Sequence, residues 1–516
     1  MPIVTLHGVI VDTLNGKVQG IERRGVHQFR GIPYARAERF GPPEPVDPWS
    51  GVRDATSFGP SAPQNQSATE ALLGGGERVT SEDCLSLNVF TPAPDERARP
   101  VMVWIHGGGF TGGSGDVVWY DGSALARAND VVVVTINYRL GVLGFLHLDH
   151  LDGAFAGSGA NGIRDQVAAL RWVADNIGGF GGDPADVTVF GESAGGMSVT
   201  TLLATPSARG LFRRAAAQSG AGAHTHPAGV AERVTDAVLD ALHLSPGDVD
   251  GLRAAPVEDL LAAQAAVEAP RNPQVRGDGG VPVGALVFQP VVDGTVLPEA
   301  PLPAIRSGSA TGVPLLLGTT ADEWNLFHLP SRLAGPLDED KLRRRIGRIV
   351  PDDRVEDVLD AYRGALPGAD PDALLCAAMT DMVFAHPAAQ LAAAQVETGT
   401  PVHAYRFDLP SAAMGGLLGA CHTVDIPFVF DNLDRGGVET LLGGLDDEVR
   451  RLATLTSRAW AAFARTGSPS PAGPTWPAYD LLRRSTCVLD RTPGVEDDPR
   501  ADRRLLWEEL RPHATA

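Results

Sequence analysis

Residues 187–204 place the tightest constraint on what this chain can become. The apolar, β-branched run Val187-Thr188-Val189-Phe190 leads directly into Gly191-Glu192-Ser193-Ala194-Gly195, and the stretch Met197–Ala204, which can start a helix, follows at once. Strand, sharp turn and helix in that order form the G-x-S-x-G elbow, where a strained serine stands with its hydroxyl free at the end of a sheet. In a chain with 60 glycines the five-residue pattern alone carries little weight. Its flanks supply the meaning. The small residues Ala194, Gly195 and Gly196 suit the close approaches of such a turn.

The rest of the chain reads in the same alternating way. Val101–Ile105, Val131–Ile136, Pro314–Leu317, Val402–Phe407 and Thr486–Leu489 are short apolar runs of the kind that form buried strands. Asp165–Ile177 has helical spacing, with Val167, Leu170, Val173, Ala174 and Ile177 on one face, and a closing helix is expected near Arg503–Leu510. At the start, Val9–Val11 and Val18–Ile21 flank Asn15-Gly16, which signals a hairpin. Alternating β and α over this length predicts one mostly parallel sheet covered on both faces, in a single domain spanning 1–516. Residues 228–265 and 336–400 are rich in Ala, Leu and charge at helical spacing. They read as helical excursions over the sheet, either walls of a substrate gorge or plain packing helices.

The formal net charge of −20 disfavours nucleic acid and anionic membranes as partners, since both need a basic footprint. Lys17 and Lys341 are the only lysines while arginine is plentiful, which reads as coding bias rather than function. The first residues carry no leader-peptide pattern, and no apolar run approaches the ~20 residues of a membrane span. Four widely spaced cysteines, Cys84, Cys376, Cys421 and Cys487, do not make a disulfide framework. A reduced, cytoplasmic protein is expected.

A serine hydroxyl becomes a nucleophile only when a base takes its proton and a third group orients that base. An elbow serine is followed along the chain by an acid and then a histidine. Leu315-Leu316-Leu317-Gly318-Thr319-Thr320-Ala321-Asp322-Glu323 supplies a strand with a carboxylate on the next turn, and spacing leaves Asp322 and Glu323 both open. Of His328, His386, His403, His422 and His513, His422 is the best candidate. It sits in a loop after a glycine-rich segment and before Ile426-Pro427-Phe428. Val103-Trp104-Ile105-His106-Gly107-Gly108-Gly109-Phe110 is a strand running into a triple-glycine loop, the expected second half of an oxyanion hole.

At these residues the chain resembles the type-B carboxylesterases, the cholinesterase-like branch of the α/β-hydrolases, and in particular bacterial para-nitrobenzyl esterases. The likeness rests on Phe29–Ala35, Glu82–Val89, Asn137–Gly141, Phe180–Gly195, Gln218-Ser219-Gly220, Asp322-Glu323, His422–Phe430 and Trp476–Tyr479. It is dense from about residue 9 to 220 and recurs to about 480. The resemblance implies an α/β-hydrolase fold with Ser193 as nucleophile, Glu323 rather than Asp322 as acid and His422 as base. It also implies Gly108, Gly109 and Ala194 as oxyanion donors. Arg139 with Asp165, and Arg39 with Glu82, are implied as fold-locking ion pairs. Glu192 is expected to tune the site or serve the scaffold, and Ser219 to support the acid.

Secreted relatives pair the cysteine equivalent to Cys84 with one upstream; this chain has none, and Ala62 stands where one might occur. Gln64–Ser81 lacks a tryptophan to hold a quaternary ammonium, which argues against acetylcholine. Trp324 occupies a position where the family often has glycine, and either narrows the site or packs. The implied reaction is hydrolysis of small to medium carboxylic esters through an acyl-enzyme on Ser193, with no metal or organic cofactor required. Carbamates, amides or another acyl bond are the alternative substrates. A non-catalytic binding protein is the rival class, disfavoured because every catalytic position is filled.

Overall fold

Alternation within each apolar run decides which side chain faces which side of the sheet. The computed structural model describes residues 8–66, 78–269, 272–276, 286–470 and 475–510. Its main sheet is built from β1 (Gly8–Thr13), β2 (Gly16–Arg23), β3 (Val26–Pro33), β4 (Ser86–Thr91), β5 (Arg99–Ile105) and β6 (Val132–Ile136). It continues with β7 (Gly182–Glu192), β8 (Arg214–Gln218), β9 (Leu315–Thr320), β10 (Val402–Phe407), β11 (Ser485–Leu489) and β12 (Gly494–Asp497). The spatial order is β1-β2-β3-β4-β6-β5-β7-β8-β9-β10-β11-β12, with Val52–Asp54 added beside β2. From β6 to β11 every neighbouring pair is parallel, and the antiparallel pairs lie towards the two edges.

Val101, Val103, Ile105, Val132, Val134, Val187, Val189, Leu315 and Leu317 point into one core. Met102, Trp104, Val133, Phe190, Ala216, Leu316 and Phe407 point into the other. Helix α1 (Asn161–Asn176) covers the first face through Val167, Leu170 and Val173. The next helix along the chain, α2 (Ala194–Ala204), begins one residue after Ser193 and is buried throughout. Both predicted excursions are helical: the first holds α3 (Ala228–Ala241), Val249–Ala254 and Val257–Glu268, and the second runs in segments from Glu339 to Glu397. Helix α4 (Asp447–Thr466) covers the second face through Val449, Leu452, Trp460 and Phe463.

One local expectation changes, and one strand arises without a sequence signal. The hairpin register pairs Thr13 with Gly16, so Leu14-Asn15 form the loop rather than Asn15-Gly16. The glycine serves the strand start instead: it has φ +143°, and a Cβ there would stand 2.6 Å from Trp49 Nε1. The strand β8, Arg214-Ala215-Ala216-Ala217-Gln218, runs against alanine's helix preference. It lies buried between β7 and β9, where only small side chains let α2 approach.

The expected ion pairs are present. Arg139 grips Asp165 with two guanidinium contacts of 2.7 and 2.8 Å, and its backbone N–H adds a third at 3.0 Å. Arg39 binds Glu82 and also donates to the carbonyls of Arg253 and Ala255, which ties the first excursion to the N-terminal strands. The four cysteines are buried and unpaired. Among the described residues no helix is long and apolar enough to cross a membrane.

Candidate active site

The site grows from a change of direction in the sheet. After β5 the chain steps outward to β6, then returns so that β7 lies on the other side of β5. Loops leaving the carboxyl ends of β5 and β7 therefore part, and a crevice opens between them. The register sets Gly191 beside Ile105, so the triple-glycine loop and the elbow emerge at the same level.

Ser193 sits at φ 56°, ψ −127°, a conformation that costs a non-glycine residue of order 1–3 kcal/mol and persists only when its surroundings impose it. They do. Its N–H donates to Gln218 O at 2.9 Å, and its carbonyl accepts from Met197 N at 2.8 Å. A Cβ on Gly195 would stand 2.0 Å from Ile105 O, and one on Gly196 2.6 Å from Gln218 O. The elbow thus lies directly on the backbones of β5 and β8, and only glycines fit there.

In the facing loop, Gly108 and Gly109 have φ +113° and +62°. The carbonyl of Gly108 accepts from Thr111 and Gly112, curling the loop, and a Cβ on Gly108 would strike Gly112 O at 2.2 Å. The Gln64 side chain clamps Gly113 from both its N–H and its carbonyl. His106 stacks on Tyr138 with ring centroids 4.4 Å apart, and burial holds its imidazole neutral by lowering its pKa to about 4. Among the described residues the N–H groups of Gly108, Gly109 and Ala194 donate to no other backbone group.

Glu323 and Asp322, equivalent by spacing, separate in the structure. Glu323 is fully buried, accepts the N–H of Thr320 at 2.8 Å on one oxygen and meets His422 Nδ1 at 2.6 Å with the other. Asp322 turns the opposite way and accepts from Ala420 N at 2.9 Å, anchoring the loop that carries His422. His328 is paired with Asp372 at 2.6 Å, His403 is a buried residue of β10, and His386 lies outside the cavity that holds Ser193. His513 falls outside the described residues. The direct partner of Glu323 on this side is the Thr320 backbone N–H, and the Ser219 hydroxyl makes no hydrogen bond among the described residues.

Ser193, His422, Gly108 and Gly109 line one cavity of about 680 Å³. Both excursions contribute to it, Gln264 and Glu268 from the first, Val383 and Phe384 from the second. Phe384 lies on a π-helical turn, Asp381–Ala385, between two α-helical segments. Phe384 and Phe327 each place a ring centroid 5.0 Å from that of His422. Trp324 both lines the cavity and packs on Phe327 at 5.1 Å, so its two expected roles are one. No sequence spacing pointed to the two phenylalanines, because they meet His422 only through the fold.

Glu192 is the group whose place sequence reasoning left open. It is buried, and its Oε1 lies 3.2 Å from His422 Nε2, the nitrogen opposite the Glu323 contact. Among the described residues no hydrogen bond joins that nitrogen to Ser193. Burial raises the Glu192 carboxyl to about 8, against the opposing pull of His422. Burial lowers the His422 imidazole, but the charge of Glu192 and the Glu323 hydrogen bond outweigh it and raise it to about 9. Each group biases the protonation of the other across the 3.2 Å contact. Asp425, raised to about 6 by burial, accepts from Tyr405 and Gln218 behind them.

The doubly wound sheet with these groups at the carboxyl ends of its strands defines an α/β-hydrolase, and the chain belongs to the carboxylesterase family, whose model matches residues 7–507. It is a carboxylic ester hydrolase by that membership. The para-nitrobenzyl esterase of Bacillus subtilis (strain 168) is 41% identical over 96% of this chain and 97% of its own. The phenmedipham hydrolase of Pseudarthrobacter oxydans is 37% identical, covering 91% and 92%. A crystal structure of a Geobacillus stearothermophilus carboxylesterase superposes with a TM-score of 0.85 at 43% identity, over 96% of this chain and 99% of that one.

Proposed function

We propose that the enzyme hydrolyses small to medium carboxylic esters through an acyl-enzyme on Ser193. The observation that carries this reading is the pairing of an elbow serine, held at positive φ, with a buried histidine–carboxylate pair in one cavity. His422 takes the Ser193 proton as the hydroxyl oxygen attacks the ester carbonyl, and Glu323 holds the imidazole and balances its charge. The N–H groups of Gly108, Gly109 and Ala194 receive the negative charge that develops on the carbonyl oxygen. Collapse of the tetrahedral intermediate expels the alcohol, which leaves with the proton from His422. Water then adds to the acyl-enzyme by the same route in reverse roles and releases the acid. Every step uses this chain's own groups.

Leu286, Leu326, Phe327, Val383, Phe384 and Ile426 give the cavity apolar walls, which suits an acyl or alkyl chain rather than a charged substrate. Turnover of para-nitrophenyl acetate, butyrate and octanoate, each compared with Ser193→Ala, tests the reading. Serine-dependent hydrolysis of the short esters is expected. A higher kcat/KM on anilides or carbamates than on matched esters would displace it. We also read the chain as one domain, because a single sheet takes strands from Gly8 to Asp497. The four buried, unpaired cysteines support a reducing, cytoplasmic setting.

Glu192 gives a prediction with a sign. The base must be neutral to accept a proton, and a carboxylate 3.2 Å from Nε2 favours its protonated form. Glu192→Gln removes that charge, so His422 titrates lower and the acid limb of the kcat/KM profile moves to lower pH. An acid limb that stays in place would mean that Glu192 is already protonated in the working enzyme.

A further inference from the structure

We propose that His147, His150 and Glu232 form a binding site for a divalent transition metal, zinc by preference, remote from the catalytic cavity. One ligating atom from each of the three lies within 4.8 Å of the others. Around a tetrahedral zinc with bonds of about 2.0–2.1 Å, ligand atoms stand roughly 3.3 Å apart. The remaining closure is within reach of side-chain rotation, because His150 is exposed and Glu232 only half-buried.

His147 is the fixed member. It is 4% exposed, and its Nδ1 is paired with Asp149 Oδ1 at 3.3 Å. The rings of His147 and His150 are near parallel with centroids 5.7 Å apart, so both face the same side of their loop. The loop itself is held: Leu148 N donates to Ser158 Oγ at 2.7 Å, and Gly157 N to Asp149 Oδ2 at 2.8 Å. Glu232 is placed by the same contact that fixes the loop. Thr235, three residues later on α3 and therefore on the same face, donates its hydroxyl to His147 O at 2.6 Å.

The donor set selects the metal. Two imidazoles and a carboxylate suit zinc, cobalt or nickel, whereas calcium and magnesium call for oxygen ligands alone. The carboxylates of Glu232 and Asp149 together balance a dication, and Asp149 is placed to orient His147 as an outer-sphere partner or to complete the set. A metal here would join the 146–158 loop to α3, the first helix of the excursion that later contributes Gln264 and Glu268 to the catalytic cavity. Its role is a structural staple, and no step of ester hydrolysis passes through it.

Full-length enzyme freed of metal with a chelator would be titrated with Zn²⁺ by calorimetry and with Co²⁺ by visible absorption, alongside His150→Ala and Glu232→Gln. Both positions are solvent-accessible, so unchanged ester turnover in chelator serves as the check that each variant folds. We expect single-site Zn²⁺ binding, intense cobalt d–d bands and a metal-dependent rise in Tm. Each variant should weaken binding at least tenfold and abolish the Tm rise. Absence of binding to the unaltered enzyme would overturn the site. So would equal binding by both variants, which would place the metal elsewhere, for example on His422 and its carboxylates.

Discussion

Ser193→Ala is expected to lower kcat on para-nitrophenyl butyrate by about 10⁵-fold while KM changes little, because the lost group acts on the reacting carbonyl and not on the bound acyl chain. His422→Ala should cost a similar factor, and the double variant no more than either alone. In the proposed mechanism serine and histidine act as one device, and removing half of it already stops proton transfer. Glu323→Gln should be milder, roughly 10⁴-fold, since the imidazole keeps its place but loses the carboxylate that fixes its tautomer. Residual hydrolysis would come from the Gly108, Gly109 and Ala194 N–H groups. Measurement of kcat for the three single variants and the double, each at a concentration set by folded protein, settles the matter. Multiplicative losses in the double variant would mean that the two residues serve separate steps.

The second large effect falls on stability. Arg139→Ala should destabilise the fold by about 3–5 kcal/mol, the usual cost of leaving one partner of a buried ion pair uncompensated. Asp165 is wholly buried and Arg139 only 5% exposed, so solvent cannot replace the lost guanidinium. The Arg139 backbone N–H would still reach Asp165, but a single amide does not neutralise a carboxylate. Lysine should rescue only partly, because it cannot make the two-pronged contact. A chain of this size need not unfold in one step, so Tm and the half-life of activity at raised temperature are the suitable readouts. Catalysis per folded molecule should remain near normal. A loss below about 1 kcal/mol would put this pair with ordinary surface contacts.

How much of this was legible in the sequence depends on the distance over which each feature is decided. The elbow, the triple-glycine loop and most parallel strands are local: a run of β-branched residues and a glycine cluster carry their own instructions. Glu323 and Asp322 could not be told apart by spacing, since their difference lies in which distant backbone each meets, Thr320 and His422 or Ala420. Strand β8 was hidden because three alanines favour a helix until two neighbouring strands enclose them. Helix α4 went unread, although its start is well marked: Asp446 caps it by accepting from Glu448 and Val449. The cavity walls were the least accessible of all. Phe327 and Phe384 are far apart in the chain, yet the fold stacks them on each other at 6.2 Å and sets both against His422.

The π-helical turn at Asp381–Ala385 has an evolutionary reading. Such a turn holds one residue more than an α-helical turn. Losing one residue there would restore regular winding and swing the side chains on one side of it by about 100° relative to those on the other. Phe384 would then leave His422, while the sheet, the elbow and the acid would keep their places. Single-residue deletions across 381–385, assayed on esters of graded chain length, would reveal this as a change of preference with activity retained, and uniform inactivation would argue against it. The first result would mean that a lineage carrying this turn can alter what its enzyme accepts by losing a single codon.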